Sequence, residues 1–299
     1  MTREKKNKTE ALKEMLAMLA QKHNINPKQL EAMLESEKYH AAAPSIDLSE
    51  HLKEGKVVFG ALDSTRLNSK WMRPDIYRSL YARFEQEGVA YVFHCGDITD
   101  GYMRYKTHVN DVIYLDYDLM LEGLFINSER PEAYPKIGVK TYFLGGNYDK
   151  TFFKRKNEHK EMTNVCADIA RIRPDLVFAG YNGATIKIAP KTTVQLSHPL
   201  PGIGSKKPYT ISHPVQKRVQ AFGKGQKTDI LISGYFQKRF EFKFQGVEAQ
   251  MLGSCISQTP IDAEKEMPAP ALGGVIFEVY FNKDGSFNEI ATIDMPFYD

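Results

Sequence analysis

The spacing of apolar residues divides the chain into two regions. In residues 9–38, Leu and Met recur at helical spacing in two runs, and the turn between them contains Asn26 and Pro27. Asn26 suits an N-cap and Pro27 the first turn of a second helix. This pattern predicts a helical extension over residues 1–38. It is either a helix-turn-helix-like module of the DNA-binding kind or a plain helical hairpin, since no third helix is visible.

From Lys56 onward, short β-rich runs alternate with helical stretches, and after Gly183 strand follows strand. Such an order predicts a layered α/β body with a mixed sheet or two packed sheets. We therefore expect a linker over 39–55 and a single domain over 56–299. Apolar runs predict strands at 57–59, 89–93, 139–144, 176–178, 185–188, 193–196, 230–233, 246–251, 275–281 and 290–293.

Composition favours a folded protein inside the cell. Of the 299 residues, 42% are hydrophobic and 11% aromatic, which is enough to form a core. No apolar run approaches the ~20 residues that span a bilayer, so no membrane partner is expected. The first 22 residues lack the apolar centre of a secretion signal. Three cysteines without metal-ligand spacing indicate a reducing compartment, and we predict a cytoplasmic location.

The net charge of +3 is unevenly distributed. Residues 1–22 contain six basic and three acidic side chains, so they carry the whole excess, and the remaining residues balance. This basic segment is either a solvated helix end or a contact for nucleic acid or an acidic partner.

Polar turns follow several predicted strands, and in α/β sheets functional groups gather beyond the carboxyl ends of strands. The turns are Asp63–Arg66, Gly96–Asp100, Gly145–Asp149, Ser197–Pro199 and Gly234–Gln237.

The order and spacing of these turns resemble the calcineurin-like metallophosphoesterases, whose motifs read D-x-H, G-D-x-x-D, G-N-H-D, an isolated H, and G-H-x-H. The resemblance runs from about Lys56 to Phe297, and "GVAYVFHCGDITDG" is its strongest piece. It is closest in type to the phage and archaeal metallophosphatases. It implies an αββα sandwich of two mixed β-sheets flanked by helices, preceded by the N-terminal hairpin. A viral origin would place the protein in the host cell cytoplasm.

In that family, two divalent metals share a bridging carboxylate, and the histidine of G-N-H-D assists the leaving group. The resemblance implies that three metal ligands remain here: Asp97, Asn147 and His198. Four ligand positions are degenerate, namely Ser64, Arg66, Tyr235 and Gln237, and Tyr148 stands at the general-acid position. Tyr148 replaces that histidine poorly, because a phenol with a pKa of about 10 stays neutral at pH 7.

Arginine cannot bind a cation, so we expect Arg66 to pair with Asp97 and replace part of the missing metal charge.

Three interpretations of the function follow from these residues. The favoured one is a catalytically inactive binding or scaffold subunit with a protein partner. It has a possible role in nucleic-acid metabolism, by analogy with the inactivated copies of this fold in replicative DNA polymerases. The second is a phosphodiesterase or nuclease that retains one Mn or Zn on Asp97, Asn147 and His198. In the third, a one-residue shift makes Asp63 a ligand.

Some side chains also have plain structural interpretations. His198 is then a packed core histidine, His94 and Cys95 are structural, and His108 is a surface or loop residue. Basic side chains beside the turns predict an anion or nucleic-acid rim, or else a solvated loop edge. The rim consists of Lys154, Arg155, Lys156, Lys206, Lys207, Lys238 and Arg239.

Overall fold

The computed structural model describes residues 46–127, 129–156, 162–199, 212–222 and 227–298. The predicted extension over 1–38, residues 39–45 of the predicted linker, and Lys206 and Lys207 lie outside the described residues. Part of the predicted linker is structured, because Ile46–Asp47 pairs with Ile186–Lys187 and so begins the first sheet.

Twelve strands in the described part form two six-stranded mixed sheets. The first has the order β1-β6-β7-β8-β10-β9 and the second the order β12-β11-β2-β3-β4-β5. In the second sheet β2, β3, β4 and β5 run parallel, while β11 and β12 are antiparallel. The strands are β1 (Ile46–Asp47), β2 (Lys56–Leu62), β3 (Tyr91–His94), β4 (Thr141–Gly145), β5 (Leu176–Tyr181), β6 (Gly183–Ala189), β7 (Thr192–Ser197), β8 (Ile230–Ser233), β9 (Phe240–Phe244), β10 (Val247–Met251), β11 (Leu272–Phe281) and β12 (Phe287–Phe297).

Helices cover the outer faces of both sheets. Helix α1 begins at Pro74, and its buried Ile76, Leu80 and Phe84 recur every fourth residue, which turns one stripe toward the second sheet. The helices are α1 (Pro74–Gln86), α2 (Tyr117–Leu121), α3 (Val165–Ile172), α4 (His213–Gln220) and α5 (Pro260–Glu264). A π-helical turn, Glu122–Ile126, continues α2. None of the described helices is long and apolar enough to span a membrane.

Apolar side chains fill three layers. The first lies between the two sheets and includes Phe59, Phe93 and Phe277. The second lies between the second sheet and helices α1 to α3, and the third packs α4 on the first sheet. The predicted sandwich of two mixed sheets flanked by helices is therefore confirmed. Its layers bring the ends of β2, β3, β4, β7 and β8 to one edge.

Candidate functional site

The polar turns after these five strands meet through hydrogen bonds. The Tyr148 N–H donates to Asp97 Oδ1 at 2.8 Å, which joins the β3 and β4 turns. The Tyr235 N–H donates to Asp63 Oδ2 at 2.9 Å, which joins the β8 and β2 turns. His198, after β7, lies between them, with its Nδ1 3.7 Å from Asp63 Oδ1. These residues meet because the carboxyl ends of their strands lie at the same edge, which is the reason for which the sequence predicts them together.

His198 is fully buried at the centre of this site. Its Nδ1 donates to the carbonyl of Cys95 at 2.8 Å, and its Nε2 lies 3.4 Å from Asp97 Oδ2. Burial alone would lower the pKa of His198, but the carboxylates of Asp97 and Asp63 raise it well above its ordinary value. Burial likewise raises the pKa of Asp97, and His198 outweighs it, so the pKa of Asp97 is lowered. The two side chains form a buried ion pair.

Arg66 anchors a second cluster beside the first. Its Nε and Nη2 both lie 2.7 Å from Asp100 Oδ1, and its side chain is only 2% exposed. Asp100 also accepts from Arg104 Nη2 at 3.1 Å and contacts His108 Nε2 at 2.9 Å. Both guanidinium groups lie over the Tyr148 ring, at 4.6 Å for Arg66 and 4.0 Å for Arg104. Cation–π contacts of this kind hold the Tyr148 ring in place.

Two expectations need correction. The prediction that Arg66 pairs with Asp97 is wrong in its partner, because the guanidinium forms its ion pair with Asp100 and Asp97 pairs with His198. Of the two interpretations of His108, the surface one is wrong, because the side chain is 2% exposed and contacts Asp100; the residue does lie in the connection between β3 and β4. Asp100 is the second aspartate of the G-D-x-x-D motif, so this motif could have indicated it as a second candidate partner of Arg66. The two partners that follow it at intervals of four residues, Arg104 and His108, belong to no motif.

Asp149 is a further buried carboxylate that sequence reasoning did not select. It accepts hydrogen bonds from Thr99 N–H at 2.9 Å, Thr99 Oγ1 at 2.6 Å, Gly146 N–H at 2.7 Å and Ile98 N–H at 3.2 Å. Burial and the nearby charge of Asp97 raise its pKa to about 6. Asp149 therefore ties the β3 turn to the β4 turn.

The remaining motif side chains make local contacts. Ser64 Oγ donates to Asp63 Oδ2 at 2.8 Å, and Asn147 Nδ2 donates to the Pro199 carbonyl at 3.4 Å. The Tyr235 ring meets the His198 ring edge-on, with centroids 5.7 Å apart.

The backbone at the motif positions is unusual. Eleven described non-glycine residues have positive φ, and five of these are motif positions. Left-handed backbone is strained for most side chains and persists where surrounding structure holds it in place. The five residues are Ser64 (φ 50°), Arg66 (44°), Asp97 (51°), Tyr235 (76°) and Gln237 (54°).

These residues do not fit a two-metal centre. The permanently charged Arg66 guanidinium is buried near Asp97, where a cation would have to compete with it. Within the described ranges, no group of three or more His, Cys, Asp or Glu side chains is arranged to hold a metal ion. The atoms that remain available are His198 Nε2 and Asp63 Oδ1, which are buried and form no hydrogen bond among the described residues.

Three of the five described side chains of the predicted basic rim form contacts within the protein. Arg155 lies over the Tyr117 ring at 4.3 Å, Lys238 Nζ donates to the Ala269 carbonyl at 2.6 Å, and Arg239 pairs with Asp294 at 3.3 Å. Lys154 and Lys156 are exposed.

No protein-family model and no curated protein matches this sequence. Solved structures that resemble the chain are phosphoesterase-fold proteins. An archaeal phosphodiesterase is 14% identical, with a TM-score of 0.40, covering 80% of this chain and 100% of its own. A predicted phosphoesterase from Streptococcus pneumoniae is 10% identical, with a TM-score of 0.37 and coverage of 81% and 100%. Vps29 from Entamoeba histolytica, complexed with zinc, is 14% identical, with a TM-score of 0.38 and coverage of 80% and 99%. The TM-scores are low, and the fold assignment depends on the chain's own strand order.

Gly146→Ala is expected to disrupt the joined turns. A Cβ at Gly146 would lie 2.1 Å from Asp97 Oδ1 and 2.3 Å from Asp97 N, so backbone must move. Overpacking of this kind costs about 1–3 kcal/mol or more, and urea unfolding measures it. Gly138→Ala is the control, since nothing lies within 4 Å of a Cβ there. Equal midpoints for the two variants would contradict the close approach.

Proposed function

We propose that this protein is a catalytically inactive protein with a metallophosphoesterase fold, acting as a binding or scaffold subunit in the cytoplasm. One observation carries the proposal: the Arg66 guanidinium is buried and paired with Asp100, at a position that the motif resemblance aligns with a metal ligand. A fixed internal cation there makes metal binding unfavourable by charge repulsion. The buried, unpaired cysteines Cys95, Cys166 and Cys255 support the cytoplasmic location.

The charges of the site support the same proposal. The carboxylate of Asp97 already has a partner in His198, and that of Asp100 has partners in Arg66 and Arg104. Buried carboxylates without partners are costly, so these contacts stabilise the fold in place of metal ions. The guanidinium groups of Arg66 and Arg104 hold the Tyr148 ring in place beside these contacts.

Metal content and hydrolysis test this function together. Protein incubated with excess Mn²⁺ or Zn²⁺ and desalted is expected to hold no stoichiometric metal by mass spectrometry. It is expected to hydrolyse bis(p-nitrophenyl) phosphate no faster than the Asp97→Ala/His198→Ala variant. Working enzymes turn over at about 1–10³ per second, so the difference is unambiguous. Two metals per chain, with turnover that the double variant loses, would refute the proposal.

A single-metal phosphoesterase is the second candidate, in which a metal ion would replace the proton of the His198–Asp97 ion pair; the separation of the two side chains favours it. Two donors bound to one tetrahedral ion at 2.0–2.1 Å lie roughly 3.4 Å apart. This is the separation of His198 Nε2 and Asp97 Oδ2. Asn147 would supply the third donor. In the same assay this candidate predicts one metal per chain and turnover, both abolished by His198→Ala.

A nucleic-acid ligand has less support. Three of the rim cations, Arg155, Lys238 and Arg239, are held in internal contacts, so fewer charges are available for phosphates.

A further inference from the structure

The connection between β3 and β4 carries an exposed apolar surface. Ten large apolar side chains are exposed in the described part of the chain, and five of them fall within residues 109–129. The most exposed of these five are Leu115 (74%), Ile126 (58%) and Leu119 (56%). We call these five, together with the acidic side chains among them, the acidic apolar patch. Its apolar members are Val109, Ile113, Leu115, Leu119 and Ile126, and its acidic members are Asp111, Asp116, Asp118, Glu122 and Glu129.

Core packing does not account for these apolar side chains. Helix α2 and its π-helical turn bury Met120, Leu124 and Phe125 against the body. Leu119 and Ile126, on the same helical segment, are instead exposed. A concentration of exposed apolar side chains in one segment marks a candidate interaction site.

A cavity beside the patch offers a place for an inserted side chain. It has a volume of about 300 Å³ and is lined by Leu115, Val109 and Met103, with the buried Met120 and Phe152 also contributing. Apolar pockets of this type receive the anchor residues that dominate binding energy in protein interfaces.

The acidic charge of the patch favours a partner with basic side chains. From 109 to 129 the sequence has five acidic residues and no Lys or Arg. Asp118 and Glu122 form no ion pair with any described residue. The cations around the patch have partners of their own. Arg155 lies over Tyr117, and Lys70 Nζ donates to the Asn110 carbonyl at 2.7 Å. Arg130 Nη1 donates to Tyr114 Oη at 2.6 Å, and Arg171 pairs with Asp168 at 3.4 Å. A negative potential therefore surrounds the apolar side chains.

We propose that the acidic apolar patch binds a basic amphipathic helix of a partner protein. Such a helix presents apolar anchors at positions i, i+3 or i+4, and i+7, flanked by Lys and Arg. A second copy fits less well, because an isologous contact would place these acidic residues against one another. Anionic membranes would be repelled. The inference rests on the proposed role as a binding subunit and specifies the chemistry of the partner.

The test uses the full chain and a fluorescein-labelled 18-residue peptide with a Leu stripe at helical spacing and Lys elsewhere. Fluorescence anisotropy gives its affinity. Leu115→Ser/Leu119→Ser is expected to weaken binding about tenfold or more, since two apolar anchors are lost. Asp118→Lys/Glu122→Lys is expected to weaken it similarly and to reduce the preference for the Leu/Lys peptide over a Leu/Glu peptide, because three acidic side chains then face two basic ones. Phe240→Ser/Ile293→Ser is the matched control, with two apolar residues exposed elsewhere.

Three outcomes would overturn the inference. A scrambled Leu/Lys peptide binding equally well would show that only charge is recognised. Equal weakening in the Phe240/Ile293 control would show that the patch is not the site. A concentration-dependent dimer, lost in Leu115→Ser/Leu119→Ser by light scattering, would identify a second copy as the occupant. Circular dichroism confirms that each variant is folded. Metal-dependent hydrolysis by the wild type would refute the inactive role without altering peptide binding, so the two failures are distinguishable.

Discussion

Asp100→Ala is expected to destabilise the protein by about 3–5 kcal/mol, because it leaves the Arg66 guanidinium buried without its partner. Burial would raise the pKa of Asp100, but Arg66, His108 and Arg104 outweigh it and lower the pKa, so the carboxylate is charged in the folded protein. The alanine variant loses all of these contacts at once. Thermal unfolding measures the effect, with an expected fall in Tm of about 10 °C.

Asp75→Ala provides the matched control for that prediction. Arg73 and Asp75 are also 2.7 Å apart, but the Asp75 side chain is 58% exposed. An exposed pair contributes about 0–1 kcal/mol, so the control is expected to unfold close to the wild type. If the two variants unfolded at the same temperature, burial of the Arg66 pair would not be what stabilises this turn.

Arg173→Ala is expected to cost about 3 kcal/mol and to loosen the connection between β3 and β4. The buried guanidinium donates to the carbonyls of Phe125 at 3.0 Å, Tyr134 at 3.2 Å and Pro135 at 2.9 Å, and it also pairs with Asp175. Alanine leaves these buried acceptors with fewer donors, and hydrogen bonds to charged groups are worth about 1.5–3 kcal/mol each. Hydrogen exchange over residues 117–135 measures the local opening.

Arg171→Ala is the control for this change. Arg171 lies two residues earlier, its side chain is 72% exposed, and its one ion pair in the described part of the chain, with Asp168, spans 3.4 Å. Its removal is expected to leave exchange over 117–135 unchanged. Faster exchange in both variants would assign the effect to helix α3 and not to the Arg173 contacts.

The strand pattern of the fold follows from local sequence, with instructive exceptions. The apolar runs predict ten of the twelve described strands, and nine of these ten contain buried residues; the exception is the edge strand β12, whose residues are half-buried or exposed. Strand β9, Phe240–Phe244, lies at a sheet edge and is mostly exposed, so it lacks such a run despite its alternation of Phe with charged residues. Strand β1 has only two residues, and its place depends on pairing with β6.

The site was predictable as far as topology fixes it. Asp97, Tyr148 and His198 meet because the carboxyl ends of their strands lie at one edge. The sequence could not predict whether Asp97 or Asp100 is the partner of Arg66, because both aspartates lie in the same turn. The left-handed backbone at Asp97 presents its carboxylate to Tyr148 N–H and His198, which leaves Asp100 for the guanidinium. The pairing therefore depends on the backbone φ angle at Asp97, which the pattern of residue types does not predict.

The left-handed backbone at Arg66, Tyr235 and Gln237 has a consequence for evolution and engineering. Histidine is among the residues that tolerate this conformation best, so restoring a histidine at any of the three adds no backbone strain. Replacing Arg66 would also remove the buried partner of Asp100. Tyr235→His and Gln237→His therefore change side-chain identity at two of these positions while leaving that ion pair intact.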